Sequence, residues 1–385
     1  MRDASATGPV LCVVGARPNF MKMAPILRAL GAGDPPLQHV LVHTGQHYDV
    51  AMSDQLFTAL GLPDPDVNLE VGSGTHAVQT AEVMRRFEPI VEQHAPACVL
   101  VVGDVNSTLA CSLVAVKKGV PVVHVEAGLR SFDRRMPEEI NRVLTDQISD
   151  LLFTTERSAH ANLAREGIPP ERMRFVGNVM IDSVRAHLPH AIAPEQVLRT
   201  AGLAAAHDIA ARYGVVTLHR PSNVDRANVL RHLLDVLCTI AGRLPLVFAV
   251  HPRTRAAIDA LGVRDLSARG VHLLPPQGYL EMLGLMAGAT VVLTDSGGMQ
   301  EETTALGVPC LTLRDNTERP VTVESGTNLV VGRDRDLILS AIDDIFAGRG
   351  KRGRVPEGWD GHAAERIASE LARWLSPRER TRVAA

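Results

Sequence analysis

The stretch Val120–Arg142, VPVVHVEAGLRSFDRRMPEEINR, decides how this chain is read. Val120 to Val125 form a short apolar run. It gives way abruptly to Glu126, Gly128, Arg130, Asp133, Arg134 and Arg135, and Pro137-Glu138-Glu139 then opens a helix. A buried strand delivering a carboxylate, small residues and arginines at its C-terminal end has the layout of an α/β active-site rim. Taken singly, such a loop is more simply a connection whose charges are solvated. Other strands of the chain end the same way, which tips the balance toward a functional rim.

Upstream, Val10 to Val14 form a β-branched strand that breaks at Gly15-Ala16-Arg17-Pro18, and Lys22 lies in the first turn of the helix that follows. Val40 to Val42 end in His43-Thr44-Gly45-Gln46-His47, and Cys98 to Val102 end in Gly103-Asp104. Between them, Thr75 to Gln93 has helical periodicity. Downstream, Leu151 to Phe153 and Arg174 to Val176 read as short strands, the second ending in Gly177-Asn178. Around 187–196 (HLPHAIAP and its flanks) the alternation lapses into a Pro-containing linker.

Beyond the linker the alternation restarts. Val215 to Leu218 end in His219-Arg220, Leu246 to Val250 in His251-Pro252-Arg253, and Val271 to Leu274 in Pro275-Pro276. Thr290 to Thr294 end in Asp295-Ser296-Gly297-Gly298, Pro309 to Leu313 end in Arg314-Asp315, and an amphipathic helix runs from Ala363. Strands that are apolar on both faces and alternate with helices imply parallel sheets covered on both sides. The expected fold is therefore α/β: two Rossmann-like, doubly wound domains facing a central cleft. The N-terminal one covers 1–186, the C-terminal one 197–362, and a helix at 363–385 packs back across them.

The totals agree with that scheme. At 385 residues the chain exceeds one ordinary core. It is 45% hydrophobic and 22% charged with a net charge of −3, so no basic excess points to nucleic acid. Aromatic residues at 3% are too few for a base-stacking surface. Five cysteines (Cys12, Cys98, Cys111, Cys238, Cys310) lie singly in apolar segments without a CxxC pair, as in the core of a protein from a reducing compartment. MRDASATGPV has no signal-peptide pattern and no run is long enough to cross a bilayer, so the expected location is the cytoplasm and no membrane partner is expected.

Asp295-Ser296-Gly297-Gly298 followed by a helix is the clearest ligand element, because two glycines let a backbone approach closely and a helix N-terminus favours a diphosphate. Glu302, one turn in, would suit ribose hydroxyls. The plainer alternative, Asp295 or Ser296 as a helix cap, is as good on this motif alone. The chain has no dinucleotide fingerprint and no Walker A sequence. Arg17 could fork onto a phosphate and Lys22 could neutralise a leaving diphosphate, although a lone lysine there is more often solvent-facing. His219-Arg220 adds an imidazole and a guanidinium at a strand end. Asp104, Glu126 and Glu138 come from different strand ends of one domain and converge if neighbouring parallel strands carry them, which suits acid–base work. Helix capping by Asp104 and dipole compensation by Glu138 are the structural alternatives. His43, His47 and Asp49 lack companions at ligand spacing, so no metal is expected.

Together these motifs carry a resemblance. Gly15-Ala16-Arg17-Pro18-Asn19-Phe20-Met21-Lys22, Thr44-Gly45-Gln46-His47, Gly103-Asp104, His124 to Arg130, Pro137 to Arg142, Gly177-Asn178, His219-Arg220, Asp295 to Glu302 and Arg314 to Pro320 stand in the order of the non-hydrolysing UDP-N-acetylglucosamine 2-epimerases. The chain resembles that family from about its first strand to its last helix. The resemblance implies a glycosyltransferase-B-like architecture, a homodimer, and C2 epimerisation of a UDP-sugar by elimination and re-addition of UDP through a 2-acetamidoglucal, with no cofactor. By matching position it implies acid–base roles for Asp104, Glu126 and Glu138, with Lys22 and His219 also catalytic. It puts Arg17, Arg142, Asn178, Arg220, Ser296, Gly297, Gly298, Glu302 and Arg319 on the substrate.

The chain departs from many bacterial members at Pro221-Ser222-Asn223, Tyr48-Asp49 and His251-Pro252-Arg253, so the resemblance does not carry substrate activation over to it. Some of these variants resemble relatives acting on UDP-2,3-diacetamido-glucuronic acid, the alternative substrate. Glu318-Arg319-Pro320 favours the N-acetylglucosamine enzymes. A glycosyltransferase, which would need an acceptor patch, and a hydrolysing epimerase are the more distant alternatives.

Overall fold

The computed structural model describes residues 8–46, 60–203 and 205–376. His47, Tyr48 and Asp49, invoked above in the metal and activation arguments, lie outside the described residues, as does 377–385 of the expected C-terminal element. Two compact units divide the chain. One takes in the described residues through Ser183 and those from Glu357 on, and the other runs Val184–Pro356.

The first unit is built on a parallel sheet of β1 (Val10–Val14), β2 (His39–His43), β3 (Val67–Asn68), β4 (Cys98–Val102), β5 (Val122–Ala127), β6 (Leu151–Thr154) and β7 (Met173–Phe175). Their order is β3-β2-β1-β4-β5-β6-β7. The second unit repeats the scheme with β8 (Gly214–Thr217), β9 (Leu246–Ala249), β10 (Val271–Leu274), β11 (Val291–Thr294), β12 (Cys310–Thr312) and β13 (Asn328–Val330), ordered β10-β9-β8-β11-β12-β13. Right-handed crossovers that reverse direction after the third strand put helices on both faces and open a crevice at the reversal. In the first unit the reversal lies between β1 and β4, in the second between β8 and β11. The ends that carry Arg17 and Asp104, and those that carry His219 and Ser296, are therefore neighbours by topology.

The apolar runs form the strands because burial on both faces demands it. Leu11, Val13, Val99 and Val101 pack with Phe87 and Val114 in the first core, and Val216, Phe248, Leu293 and Leu311 with Leu233 and Ile342 in the second. All five cysteines are free and buried. The helix expected from Thr75 is His76–His94, with the Thr75 side chain accepting from Val78 N. Edge strands β3 and β13 escaped the sequence pattern because two or three residues carry no period of their own.

The boundary differs from the expected 187–196 linker. It falls inside the helix Val179–His187, and the segment beyond it belongs to the second unit. Ile192 N donates to Leu280 O at 3.1 Å, and the absent side chain of Gly284 makes room for the Ile192 carbonyl. Nor does the second unit extend to 362, since the chain returns to the first at Glu357. There Gly177, at φ 87°, lets the Gly358 carbonyl close in, Trp359 is buried with Nε1 donating to Thr155 O at 3.2 Å, and the Asp182 carboxylate accepts from Ala363 N and Ala364 N. The final helix, Ala363–Leu375, packs on the helix Arg17–Ala32. Burial lifts the Asp182 carboxyl to about 6 despite these amide donors.

Truncating Trp359 would empty the largest fully buried side chain and orphan the Thr155 carbonyl. Trp359→Ala should cost about 3–5 kcal/mol, read as an earlier urea transition of the first unit by circular dichroism.

Candidate active site

The first unit concentrates its charge where β1, β4 and β5 end. Glu126 sits at a register shift between β5 and β6, where Val125 faces Phe153 and Ala127 faces Thr154. Its backbone is left-handed, φ 75°, an uncommon state for a residue with a side chain and one that clusters at functional sites. The bulge re-aims the Glu126 carboxylate onto Lys22, with which it forms an ion pair, and both side chains are almost wholly buried. Gly103, at φ 70°, closes the group. A side chain there would lie 3.4 Å from Asn19 Nδ2, 3.7 Å from Lys22 Nζ and 3.9 Å from Glu126 Oε1.

Lys22 is therefore not the solvent-facing lysine of the simpler reading. Asn19 holds the turn behind it, its Oδ1 accepting from Gly15 N and Ala16 N and its Nδ2 donating to Val102 O at 2.8 Å.

Asp104 does not cap a helix. The capping position of Asn106–Lys117 is Val105, with no side-chain bond, and Asp104 instead accepts from Arg142 Nε at 2.9 Å and Nη2 at 2.7 Å. Arg142 also donates to Glu139 Oε2 at 2.6 Å, and Asn141 Nδ2 donates to Asp104 O at 2.9 Å. Glu139 in turn accepts from Ser131 N, Ser131 Oγ and Phe132 N, so it pins the loop that follows β5. Glu138 is half-buried in the first turn of Pro137–Ile148, where its charge also complements the helix dipole. His124, Asp146, Arg130 and Glu166 form a further chain behind the strand end.

Asp146 and Glu139 were missed from sequence, and the helix carrying them explains why. Glu139, Arg142 and Asp146 are buried at helical spacing, while Ile140 and Leu144 are 47% and 46% exposed. Periodicity assigns the apolar stripe to the core, whereas this helix turns its charged stripe inward to serve the strand ends. The spacing of three charged residues at i, i+3 and i+7 was the available signal.

In the second unit, Asp295 at the end of β11 accepts from His219 N and Arg220 N and from Asn223 Nδ2, and faces His219 Nδ1 at 3.0 Å. It is thus a brace for the β8 end rather than a helix cap. Burial alone would lift the Asp295 carboxyl, but the His219 ring, the Arg220 amide and the Asn223 side chain outweigh it and hold it below the ordinary carboxylate range.

Ser296 occupies the capping position of Gly297–Leu306 without a side-chain bond. Gly297 lies against the Glu318 carboxylate, and around Gly298 the space is open. Glu318 pairs with Arg314 at 2.7 Å and lies 3.7 Å from Arg220, while Arg319 pairs with Glu301 at 2.9 Å. Glu302 is buried one helical turn from the glycines.

Arg17 is exposed at the start of its helix, and Asn178 is fully buried with Oδ1 accepting from Met180 N. The structure thus pairs Lys22 with Glu126 and Arg142 with Asp104 at neighbouring strand ends of the first unit, and gathers half-buried His219, Arg220, Ser296 and Gly297 around Asp295 and Glu318 in the second. Asn178 stands apart as a turn residue. Among the described residues no group of three or more His, Cys, Asp or Glu could hold a metal ion, and no helix is long and apolar enough to cross a membrane.

Paired Rossmann-like sheets whose reversal points carry buried, ion-paired carboxylates on one and an anion-ready helix N-terminus on the other define an α/β enzyme for a phosphate-bearing substrate. A family model described as UDP-N-acetylglucosamine 2-epimerase matches residues 31–372, and the chain belongs to that family of isomerases. It is 41% identical over 363 residues to the UDP-N-acetylglucosamine 2-epimerase of Methanocaldococcus jannaschii, covering 93% of this chain and 97% of that one. It is also 41% identical over 368 residues to the UDP-2,3-diacetamido-2,3-dideoxy-D-glucuronate 2-epimerase of Pseudomonas aeruginosa, covering 94% and 99%. Among solved structures, the M. jannaschii UDP-GlcNAc 2-epimerase in complex with UDP-GlcNAc and UDP matches with a TM-score of 0.85 at 39% identity, over 95% of this chain and 99% of that chain. The Neisseria meningitidis enzyme bound to UDP-GlcNAc matches at 0.84 and 30%, over 95% and 100%. The glycosyltransferase-B-like α/β fold follows from these neighbours.

Two outcomes test the electrostatics. Lys22→Met removes the buried ammonium that pairs with Glu126 and should cost about 3–5 kcal/mol, while Lys22→Met with Glu126→Gln should recover most of it, both read from urea midpoints. The folded Asp295 carboxyl titrates below its unfolded value, so between the two values the unfolded chain binds more protons and stability falls with pH. The stability difference between wild type and Asp295→Asn should be full above about pH 4 and shrink as pH falls below it, followed by thermal melting.

Proposed function

We propose that the chain interconverts UDP-N-acetylglucosamine and UDP-N-acetylmannosamine by elimination and re-addition of UDP. A base takes the C2 proton, the C2–H electrons become a C1=C2 double bond, and the C1–O pair leaves with UDP. The resulting 2-acetamidoglucal accepts a proton on the opposite face of C2 while UDP returns to C1. Proton traffic on two faces needs more than one acid–base group, and Asp104, Glu126 and Glu138 supply three carboxylates in distinct settings. Glu126 works against Lys22, and Asp104 against Arg142.

The single observation that carries this reading is the Glu126 carboxylate, strained at a bulge and buried on Lys22. A stability-driven sequence has no reason to keep such an arrangement.

In the second unit, the N-terminus of Gly297–Leu306 with Ser296, Gly297 and Gly298 receives the diphosphate, with His219, Arg220 and Arg319 close to it in sequence or contact. Glu302 takes the ribose. Arg17, Arg142 and Asn178 are assigned to the substrate by their place in the family motifs. No nicotinamide or metal takes part. The protein works in the cytoplasm as a homodimer, a reading that rests on its place in the family.

A second reading, C2 epimerisation of UDP-2,3-diacetamido-glucuronic acid, is favoured by the P. aeruginosa relative at equal identity.

Proton NMR in deuterated water separates these readings. UDP-N-acetylglucosamine should give UDP-N-acetylmannosamine deuterated at C2, without accumulating free UDP. Turnover of the diacetamido-uronate alone would establish the second reading, and accumulation of UDP with free sugar would overturn both. Asp104→Asn and Glu126→Gln should each lower kcat by about 100-fold or more while UDP affinity changes by less than about threefold, measured by calorimetry. Near-normal turnover would remove that residue from the chemistry.

A further inference from the structure

We infer that His124 donates a hydrogen from both ring nitrogens, as an imidazolium, and so positions the Gly103–Asp104 peptide for the acid–base groups. Its catalytic half rests on the epimerase reading above. His124 lies in β5, two residues before Glu126, and has no exposed surface. Its Nε2 is 2.8 Å from Gly103 O and its Nδ1 is 2.7 Å from Asp146 Oδ1. A carbonyl oxygen can only accept, so Nε2 carries a hydrogen. The second bond also needs one hydrogen, on the ring or on the carboxyl.

Asp146 settles its place. Its other oxygen accepts from Gly128 N at 3.0 Å and from Arg130 Nη2 at 2.7 Å, contacts that favour the carboxylate. Burial pulls Asp146 upward, yet His124 and Arg130 hold it below the ordinary range. Both ring nitrogens therefore donate. Arg130 also pairs at 2.6 Å with the partly exposed Glu166.

The charge-assisted bond to Gly103 O clamps the left-handed turn between β4 and Asp104. On its other side Gly103 approaches Asn19, Lys22 and Glu126, and Asp104 is held by Asn141 and Arg142. His124 touches none of the reacting atoms in this scheme. It is a positioning residue.

The test uses the full chain with ¹⁵N-labelled histidine. Long-range ¹H–¹⁵N spectra, with the His124 signal identified by its loss in His124→Gln, should show both nitrogens protonated at neutral pH. A bare ring nitrogen on His124 at neutral pH would overturn the charge assignment. His124→Gln keeps a donor for Gly103 O but not the charge, and kcat should fall about tenfold or more with KM for the UDP-sugar nearly unchanged. An unchanged kcat would overturn the positioning role.

If His124→Gln does not fold, Asp146→Asn replaces it in both arms. That variant removes the carboxylate that faces Nδ1, so His124 should show one bare ring nitrogen at neutral pH and kcat should fall in the same way, and a His124 still doubly protonated there would overturn the inference. The spectra need no turnover, so an inactive wild type would count against the epimerase reading and leave the charge assignment to be decided by the spectra.

Discussion

A carboxylate buried at the end of a β-strand must be compensated, and the first unit is arranged around one such case. Glu126 is turned inward by a bulge and a left-handed backbone, where it pairs with Lys22. Lys22 is held there by the helix that begins at Arg17, whose entry turn is fixed by Asn19 through Gly15, Ala16 and Val102. Gly103 takes the left-handed turn, φ 70°, that lets the chain pass beside the pair. In a low-dielectric setting the two charges hold each other at a fixed distance.

The same logic recurs outward. Asp104 leans on Arg142, Arg142 on Glu139, and Glu139 on the backbone of the loop after β5. Asp146 joins His124 to Arg130. In the second unit Asp295 ties the β8 and β11 ends together, and Glu318 stands between Arg314 and Arg220. Each unit thus uses an acidic residue at its point of strand reversal, but to different ends. In the first the carboxylates are paired with cations that can feel a ligand. In the second Asp295 is spent on backbone amides and a histidine, which leaves the adjacent helix N-terminus without a side-chain cap and suited to an anion.

The parallel sheets could be read from Val10–Val14, Cys98–Val102 and Val122–Ala127 because a strand buried on both faces must be apolar throughout. Glu126, Asp104 and His219 could be singled out because each follows such a run at its C-terminal end. The edge strands β3 and β13 could not, being too short to show a period. Nor could the inward-facing charges of Pro137–Ile148, whose exposed apolar stripe mimics a core face. The unit boundary was hidden too. A helix interior carries no compositional mark where contacts change sides, and the return of the chain at Glu357 depends on Gly177 and Trp359 meeting partners far away in sequence.

By itself the sequence determined two doubly wound α/β halves, the strand ends that bear chemistry, and, through the order of its motifs, the family. These are local or linear properties, set by side-chain period, by glycine and proline, and by spacing along the chain. The tertiary structure alone decided which charges pair: Lys22 with Glu126 across 104 residues, Asp104 with Arg142, His219 with Asp295. It also decided that Glu126 adopts a left-handed backbone and that Asp295 braces a neighbouring strand instead of capping its own helix. Pairing of charges is a matter of distance in space and of what solvent has been removed, and neither is defined until the sheets have closed.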